Sequence, residues 1–123
     1  MTEESNAKLE SGLAAFQSGD YDTAISDLEE ATRVDAESFR AFLYLGAAYG
    51  EREKYDEAIG AFKRAAQLKP NVPSLHYNLG QAYESAGVPS EAVYEYNLAL
   101  ELNPGYTKAQ EALEDLKKRL GQG

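Results

Sequence analysis

The chain has 123 residues, of which 21 are acidic and 12 are basic, so its formal net charge is −9. Proteins that bind nucleic acid usually carry a basic face, and the anionic inner leaflet of a membrane repels an excess of acid, so we expect neither as a partner. The absence of cysteine excludes disulfides and cysteine-ligated metals.

The sequence shows no segment that would direct the chain into or across a membrane. No stretch approaches the ~20 consecutive apolar residues of a membrane span, so we expect no membrane insertion. The N-terminal residues MTEESNAKLESG have neither the basic head nor the apolar run of a secretory signal. The cytoplasm is therefore the default location.

The spacing of apolar residues predicts seven helices and no strands. Gly19 is expected to end the first helix, because glycine enters the left-handed conformation most easily, and Asp20 is expected to cap the second helix. Pro89 suits the first turn of the sixth helix, where its missing N–H costs nothing. Glu53 follows the third helix at the place where Gly19 and Gly87 follow the first and fifth, so we expect a slightly different turn there. The predicted helices are residues 3–18, 21–34, 36–52, 55–68, 72–86, 89–102 and 107–120.

The sequence repeats with a period of 34 residues, which is typical of helix–turn–helix units that stack on one another. Gly12, Gly46 and Gly80 share one position of this repeat. Because a glycine inside a helix costs ~1 kcal/mol relative to alanine, three glycines at one position predict a crossing point where two backbones come close. The expected facing surface consists of small residues of the second helices, Ala24, Ala58 and Ala92.

The second copy resembles a tetratricopeptide repeat (TPR), whose pattern has a large apolar residue, Leu-Gly, Tyr, Ala, an aromatic, Ala and Pro. These places hold Phe42, Leu45, Gly46, Tyr49, Ala58, Phe62, Ala65 and Pro70. The third copy holds His76, Leu79, Gly80, Tyr83, Ala92, Tyr96, Ala99 and Pro104, and the first copy matches more weakly. The resemblance implies an all-α fold: a right-handed superhelical α-solenoid of three helix-turn-helix TPR repeats plus a capping helix.

This fold would place the whole chain in a single TPR domain over residues 1–123. The repeats are expected at residues 5–38, 39–72 and 73–106, with the capping helix at residues 107–120. One apolar stripe in that last segment consists of Ala109, Ala112, Leu113, Leu116 and Leu120. Such a stripe can cover the open end of a repeat stack while the opposite face meets water.

The chain offers no constellation of residues for catalysis. The one histidine, His76, occupies the large apolar place held by Phe42 and is interpreted as structural. A metal site would depend on carboxylates alone, and no Gly-rich phosphate loop is present. We therefore expect no enzymatic activity, no cofactor and no bound metal.

In TPR proteins the first helix of each repeat lines a concave face on which partner peptides lie. Leu9, Leu13 and Phe16 are spaced i, i+4 and i+7, and we expect them to face this groove, while Gly12 and Ala15 contact the second helix. Large apolar groups left in water indicate a binding surface, unless the N-terminal residues or an upstream segment fold over them. By repeat position, the predicted partner-binding residues are Asn6, Leu9, Leu13, Phe16, Arg40, Leu43, Tyr44, Ala47, Tyr77, Asn78, Gln81 and Glu84.

The resemblance implies a non-catalytic adaptor that binds a peptide or an amphipathic helix of another protein. Basic residues on such a ligand would meet Glu10, Glu51 and Glu84. The alternative is structural self-assembly, in which copies of the chain form a homo-oligomer through the apolar first helix or the ends of the stack.

One TPR subclass grips the C-terminal carboxylates of chaperones with Lys, Asn and Arg side chains. The corresponding places in this chain hold Leu9, Leu13, Tyr44, Ser74 and Asn78. None of these residues is a cation, and a buried carboxylate without a positive partner is costly. We therefore expect no carboxylate clamp of this type.

Overall fold

The computed structural model describes residues 3–121, with side chains from residue 6 onward. This part of the chain contains seven helices and no strand, which confirms the all-α prediction. Residues 1–2 and 122–123 of the predicted domain lie outside the described part. The helices are α1 (Glu3–Gln17), α2 (Tyr21–Val34), α3 (Phe39–Glu51), α4 (Tyr55–Leu68), α5 (Pro73–Ser85), α6 (Pro89–Leu102) and α7 (Thr107–Arg119).

The helices pack in successive pairs. In the first repeat α1 packs on α2, in the second α3 packs on α4, and in the third α5 packs on α6. The described residues form two compact units, divided between Pro70 and Asn71. The first unit holds α1–α4, in which α3 also packs on α2, and the second holds α5–α7, in which α7 packs on α6. That the chain is one domain stays a prediction.

The glycines that recur every 34 residues lie at helix crossings, as predicted. A Cβ atom added at Gly46 would lie 2.7 Å from the ring of Phe62, and one added at Gly80 would lie 2.4 Å from the ring of Tyr96. At Gly12 the nearest atom is a Leu28 side-chain carbon at 2.7 Å. The facing residues are therefore large ones, one turn beyond the alanines that we expected to fill this role. Those alanines, Ala24, Ala58 and Ala92, are fully buried as well.

The turn after α3 closes with the same pair of hydrogen bonds as the turns after α1 and α5, and the slight difference expected there is seen as a smaller positive φ. Glu53 has φ 59°, beside 84° at Gly19 and 81° at Gly87. The N–H of Glu53 donates to the carbonyl of Gly50 at 3.0 Å, and the following N–H donates to Tyr49 at 2.9 Å. The equivalent pairs of bonds close the other two turns. Tertiary packing thus holds Glu53 in the left-handed backbone conformation that usually requires glycine.

Side chains at the helix starts explain where the elements begin. Asp20 accepts a bond from the N–H of Thr23 at 3.3 Å, which confirms it as the cap of α2. Pro89 stands in the first turn of α6, also as predicted. The predicted start of α3 at residue 36 is too early by three residues, because the buried Ser38 accepts a bond from the N–H of Ala41 at 3.2 Å and caps the helix there.

The last helix covers part of α6. Leu113 and Leu116 are buried in one cluster with Ala92 and Tyr96, so the side of α6 that they cover is removed from water. Leu120, which the sequence pattern placed in the same stripe, follows the end of α7 and is 41% exposed. The packed stripe therefore ends at Leu116.

Candidate functional site

Two of the predicted groove residues on α1 belong to the core. Leu9 is 1% exposed and Leu13 is 8% exposed, and both are part of the cluster that contains Leu28 of α2 and Leu45 of α3. The expectation that they face solvent is therefore wrong. The physical reason is that α1 packs against α3 as well as α2, so its apolar face is wider than contact with one neighbouring helix requires.

An accessible aromatic cluster remains at the C-terminal end of α1. Phe16, which is half-buried, meets Tyr21 edge-on with ring centres 5.5 Å apart and meets Tyr44 edge-on at 5.6 Å. Edge-to-face pairs of this kind are favourable beyond the area that they bury. We call Phe16, Tyr21 and Tyr44 the aromatic cluster. All three rings are partly accessible to solvent.

Further accessible groups lie on α3 and α1 in the same unit. Leu43 and Ala47 are half-buried on α3, and Asn6 is exposed on α1. Arg40, predicted as the main cation of this surface, lies 3.9 Å from Glu10. Both side chains are more than half exposed, so the pair contributes little to stability and can exchange for a ligand charge.

In the second unit, the predicted groove residues on α5 include a half-buried tyrosine. Tyr77 lies between two other rings, with centres 6.0 Å from Tyr96 and 5.6 Å from Tyr106. Burial raises the pKa of Tyr106, with a smaller contribution from Tyr77. Asn78 is half-buried on the same helix.

Gln81 and Glu84 hold a buried tyrosine in place. The amide nitrogen of Gln81 donates to the hydroxyl of Tyr96 at 2.6 Å, and that hydroxyl donates to a carboxylate oxygen of Glu84 at 2.6 Å. Burial, together with the hydrogen bond to Glu84, raises the pKa of Tyr96 above its usual value. Arg119 of α7 binds the second carboxylate oxygen of Glu84. Glu84 is therefore occupied by contacts within the protein.

The sequence prediction omitted two rings that belong to these surfaces. Tyr21 begins α2, and Tyr106 stands just before α7, whereas the prediction took groove residues only from the first helix of each repeat. The presence of aromatic residues next to helix ends could have suggested them. Whether such residues contact the predicted surface, however, depends on how the helices pack. That packing cannot be read from a single helix's periodicity.

The described residues show no arrangement typical of a metal site. His76 is 8% exposed and its Nδ1 lies 2.8 Å from a carboxylate oxygen of Glu95, which fits a structural role. Nowhere in residues 3–121 do three or more His, Cys, Asp or Glu side chains meet in a way that could hold a metal. None of the seven described helices has the length and hydropathy that crossing a membrane requires.

A family model of the tetratricopeptide repeat matches residues 9–73 and 48–107. The chain belongs to the tetratricopeptide repeat family. The members of this family are mainly non-catalytic modules that bind other proteins. No curated protein sequence matches the chain.

Solved TPR structures superpose on nearly the whole chain. A crystal structure of MamA has a TM-score of 0.93 at 25% identity, over 96% of this chain and 69% of that one. The first TPR of Spaghetti (RPAP3), bound to the HSP90 peptide SRMEEVD, has a TM-score of 0.92 at 22% identity, over 98% and 96%. The Yersinia enterocolitica chaperone SycD, in complex with a peptide of the translocator YopD, has a TM-score of 0.88 at 23% identity, over 97% and 96%. These likenesses confirm the predicted TPR solenoid fold.

Proposed function

We propose that this chain is a non-catalytic adaptor that binds a peptide or an amphipathic helix of another protein. The binding surface that we propose in the first unit consists of the aromatic cluster with Leu43 and Ala47, bordered by Asn6, Glu10 and Arg40. Tyr77 and Asn78 of α5 are proposed as separate contacts in the second unit. Leu9 and Leu13 are left out because they are buried.

The observation that carries this proposal is the half-buried state of the aromatic cluster. The ring of Phe16 packs edge-on against the rings of Tyr21 and Tyr44, with centres 5.5 and 5.6 Å apart, while each of the three residues keeps part of its surface accessible. Rigid aromatic groups lose little conformational entropy on binding and are enriched at protein interfaces. The cluster can therefore receive apolar side chains of a ligand with little rearrangement.

The charges at this surface favour a ligand with basic residues. Glu10 at its border and Glu51 at the end of α3 are both exposed. A lysine or arginine of the ligand could replace Arg40 as the partner of Glu10, because exposed ion pairs contribute little. We propose a ligand with two or three apolar anchors that dock on the aromatic cluster, and with basic residues that meet Glu10 and Glu51.

Two similar proteins support peptide binding as the type of function. RPAP3 and SycD were each solved with a peptide bound. The chaperone-type carboxylate clamp is not part of this proposal. Two of its places are the buried leucines Leu9 and Leu13, and Tyr44, Ser74 and Asn78 occupy the others without any positive charge.

The test begins with selection of peptides from a random display library on the immobilised protein. Binding of the selected peptides is then measured by fluorescence anisotropy with the wild type and with a Leu43→Ser, Tyr44→Ser variant. We expect affinity to fall about tenfold or more, while circular dichroism shows that the helices persist. Leu43→Ser alone replaces the double variant if the latter unfolds.

The matched control is Val88→Ser, which removes an exposed apolar side chain just before α6 instead of one on α3. Peptides that bind the proposed surface should keep their affinity for this control within about twofold. Equal affinity for the wild type and the α3 variant would show that this surface does not bind the peptides. Failure to select any peptide from a diverse library would also count against the proposal.

Self-assembly is the second candidate function. It is favoured by the SycD relative, which was also solved as an alternative dimer, and by the exposed Leu120 after α7. Light scattering over a range of protein concentrations separates the two functions. A mass that rises with concentration supports self-assembly, and a constant monomer mass rules it out.

A further inference from the structure

The exposed large apolar side chains are concentrated in the second unit. Among the side chains described in residues 6–121, those in this class are Val88, Tyr94, Leu102 and Leu120. The most accessible is Tyr94 of α6, at 59%. Single exposed apolar residues are common on protein surfaces, so the arrangement of these residues has to decide whether they form a site.

Three apolar residues form a continuous line on α6. Tyr94, Leu98 and Leu102 are spaced four residues apart, so their side chains follow one ridge along the helix surface. Tyr94 and Leu102 are exposed and Leu98 is half-buried. The opposite face of α6 carries the buried residues Ala92, Tyr96 and Ala99. We call Tyr94, Leu98 and Leu102 the α6 ridge.

The other two repeats show that folding does not require this ridge to be apolar. At the place of Tyr94 they have Ser26 and Gly60, and at the place of Leu98 they have Glu30 and Arg64. The helices α2 and α4 form and pack with these residues. Only the place of Leu102 is apolar in all three repeats, where its counterparts Val34 and Leu68 are half-buried. The apolar character of the ridge is therefore specific to the third repeat.

The charges on α6 determine which kind of partner fits the ridge. The helix PSEAVYEYNLALEL contains no lysine or arginine. Glu91 and Glu101 are exposed on the same face as Tyr94 and Leu98. A second copy docked on this face would bring its own pair of glutamates against them, and like-charge contacts oppose association. A ligand with positive charges would instead be attracted to these glutamates.

We propose that the α6 ridge is a second docking surface, separate from the proposed surface on α1 and α3. It binds an amphipathic helix that lays apolar residues along Tyr94, Leu98 and Leu102. Lysine or arginine side chains at the border of that helix pair with Glu91 and Glu101. The occupant is thus a basic amphipathic helix of another protein, which binds through regularly spaced apolar anchors.

The probe is a synthetic peptide of about four helical turns, with leucines spaced four apart, lysines beside them and alanine elsewhere. Binding is measured by fluorescence anisotropy in the Leu43→Ser background, so that the proposed α1–α3 surface is weakened and each proposal can fail alone. The ridge variant is Tyr94→Ser with Leu98→Gln. We expect it to bind the probe about tenfold more weakly than the background protein.

Two matched control variants test whether binding depends on the ridge itself. One tests exposed apolar side chains elsewhere, and the other tests acidic charge elsewhere. Val88→Thr with Leu120→Gln removes exposed apolar groups elsewhere and should change affinity by less than about twofold. Glu91→Gln with Glu101→Gln should weaken binding about tenfold. Glu111→Gln with Glu114→Gln removes the same charge from α7 and should have a smaller effect.

Three results would overturn the proposal. The ridge variant could bind the probe as tightly as the background protein, or the two glutamine pairs could weaken binding equally. Light scattering could also show a dimer in the wild type that the ridge variant abolishes, which would make a second copy the occupant. Because the changed side chains are at least partly accessible and none of their repeat counterparts is a large apolar residue, the ridge variant should melt within a few degrees of the background protein.

Discussion

Glu53 holds the left-handed backbone conformation that glycine holds at the same turn after α1 and α5. Its φ of 59° places Cβ close to the following carbonyl oxygen, which costs roughly 1–2 kcal/mol for a residue with a side chain. The two hydrogen bonds that close the turn, at 3.0 and 2.9 Å, and the packing of α3 against α4 impose this conformation. The local sequence does not favour it.

Replacing Glu53 by glycine should therefore stabilise the protein. The relief of backbone strain is partly offset because glycine gains freedom in the unfolded chain, so we expect a net gain of about 0.5–1 kcal/mol. Urea unfolding followed by circular dichroism measures this difference. The control Glu53→Ala removes the same charge but keeps Cβ, and should change stability by less than about 0.5 kcal/mol. A glycine variant no more stable than the alanine variant would show that the turn is not strained.

The sequence predicted least well which individual residues of the candidate site are buried. The spacing of Leu9, Leu13 and Phe16 correctly places them on one face of α1. It does not tell how many helices cover that face, and α3 covers part of it as well as α2. Two leucines became core residues for this reason, and only Phe16 stays partly accessible. Glu84 is likewise occupied by contacts to Tyr96 of α6 and Arg119 of α7, which the residue spacing along α5 does not reveal.

At the scale of the helices, periodicity and end signals were sufficient for most of the fold. All seven helices were predicted, and the cap at Asp20 and the position of Pro89 were confirmed. The start of α3 was missed because the segment before it has no glycine or proline to interrupt a helical pattern. Ser38 begins the helix by accepting a backbone bond, and serine alone is a weak signal. The repeated glycines predicted the crossings because only close backbone contact explains their cost.

Two leucines at the end of the chain allow a direct test of α7 as a packed element. Leu116 is 2% exposed and lies in a cluster with Tyr96, whereas Leu120 is 41% exposed. We expect Leu116→Ala to lower the free energy of unfolding by about 2–4 kcal/mol, because it loses buried area and leaves a cavity. Leu120→Ala should cost less than about 1 kcal/mol. Urea unfolding of both variants makes the comparison.

Equal effects of these two substitutions would mean that α7 does not pack on α6 in solution. The expected difference also has a consequence for binding experiments in the second unit. Tyr96 is held from one side by Leu113 and Leu116 and from the other by Gln81 and Glu84. Variants that loosen α7 should therefore disturb α5, so they are unsuitable for mapping a ligand surface there.

At the scale of the whole molecule, the excess of acid limits which ligands the protein can hold. The formal net charge is −9, and acidic ligands meet a repulsive field that grows at low ionic strength. Two exposed arginines already lie close to acids, Arg40 to Glu10 and Arg52 to Asp22, which reduces the positive charge that they offer to an acidic ligand. A fold similar to that of a peptide-binding domain therefore does not imply that this chain binds the same peptide.

The acidic peptide SRMEEVD, which the RPAP3 domain binds, provides the test at this scale. It carries three acidic side chains and a terminal carboxylate, and the places of a carboxylate clamp in this chain hold no cation. The buried leucines at two of these places also exclude water that could solvate a carboxylate, so the ligand charge would be left unpaired. We expect isothermal titration calorimetry at low salt to detect no binding tighter than about 1 mM. The RPAP3 domain, measured in the same buffer, is the positive control. Micromolar binding of SRMEEVD to this chain would contradict the expectation and would show that a different set of cations forms a clamp.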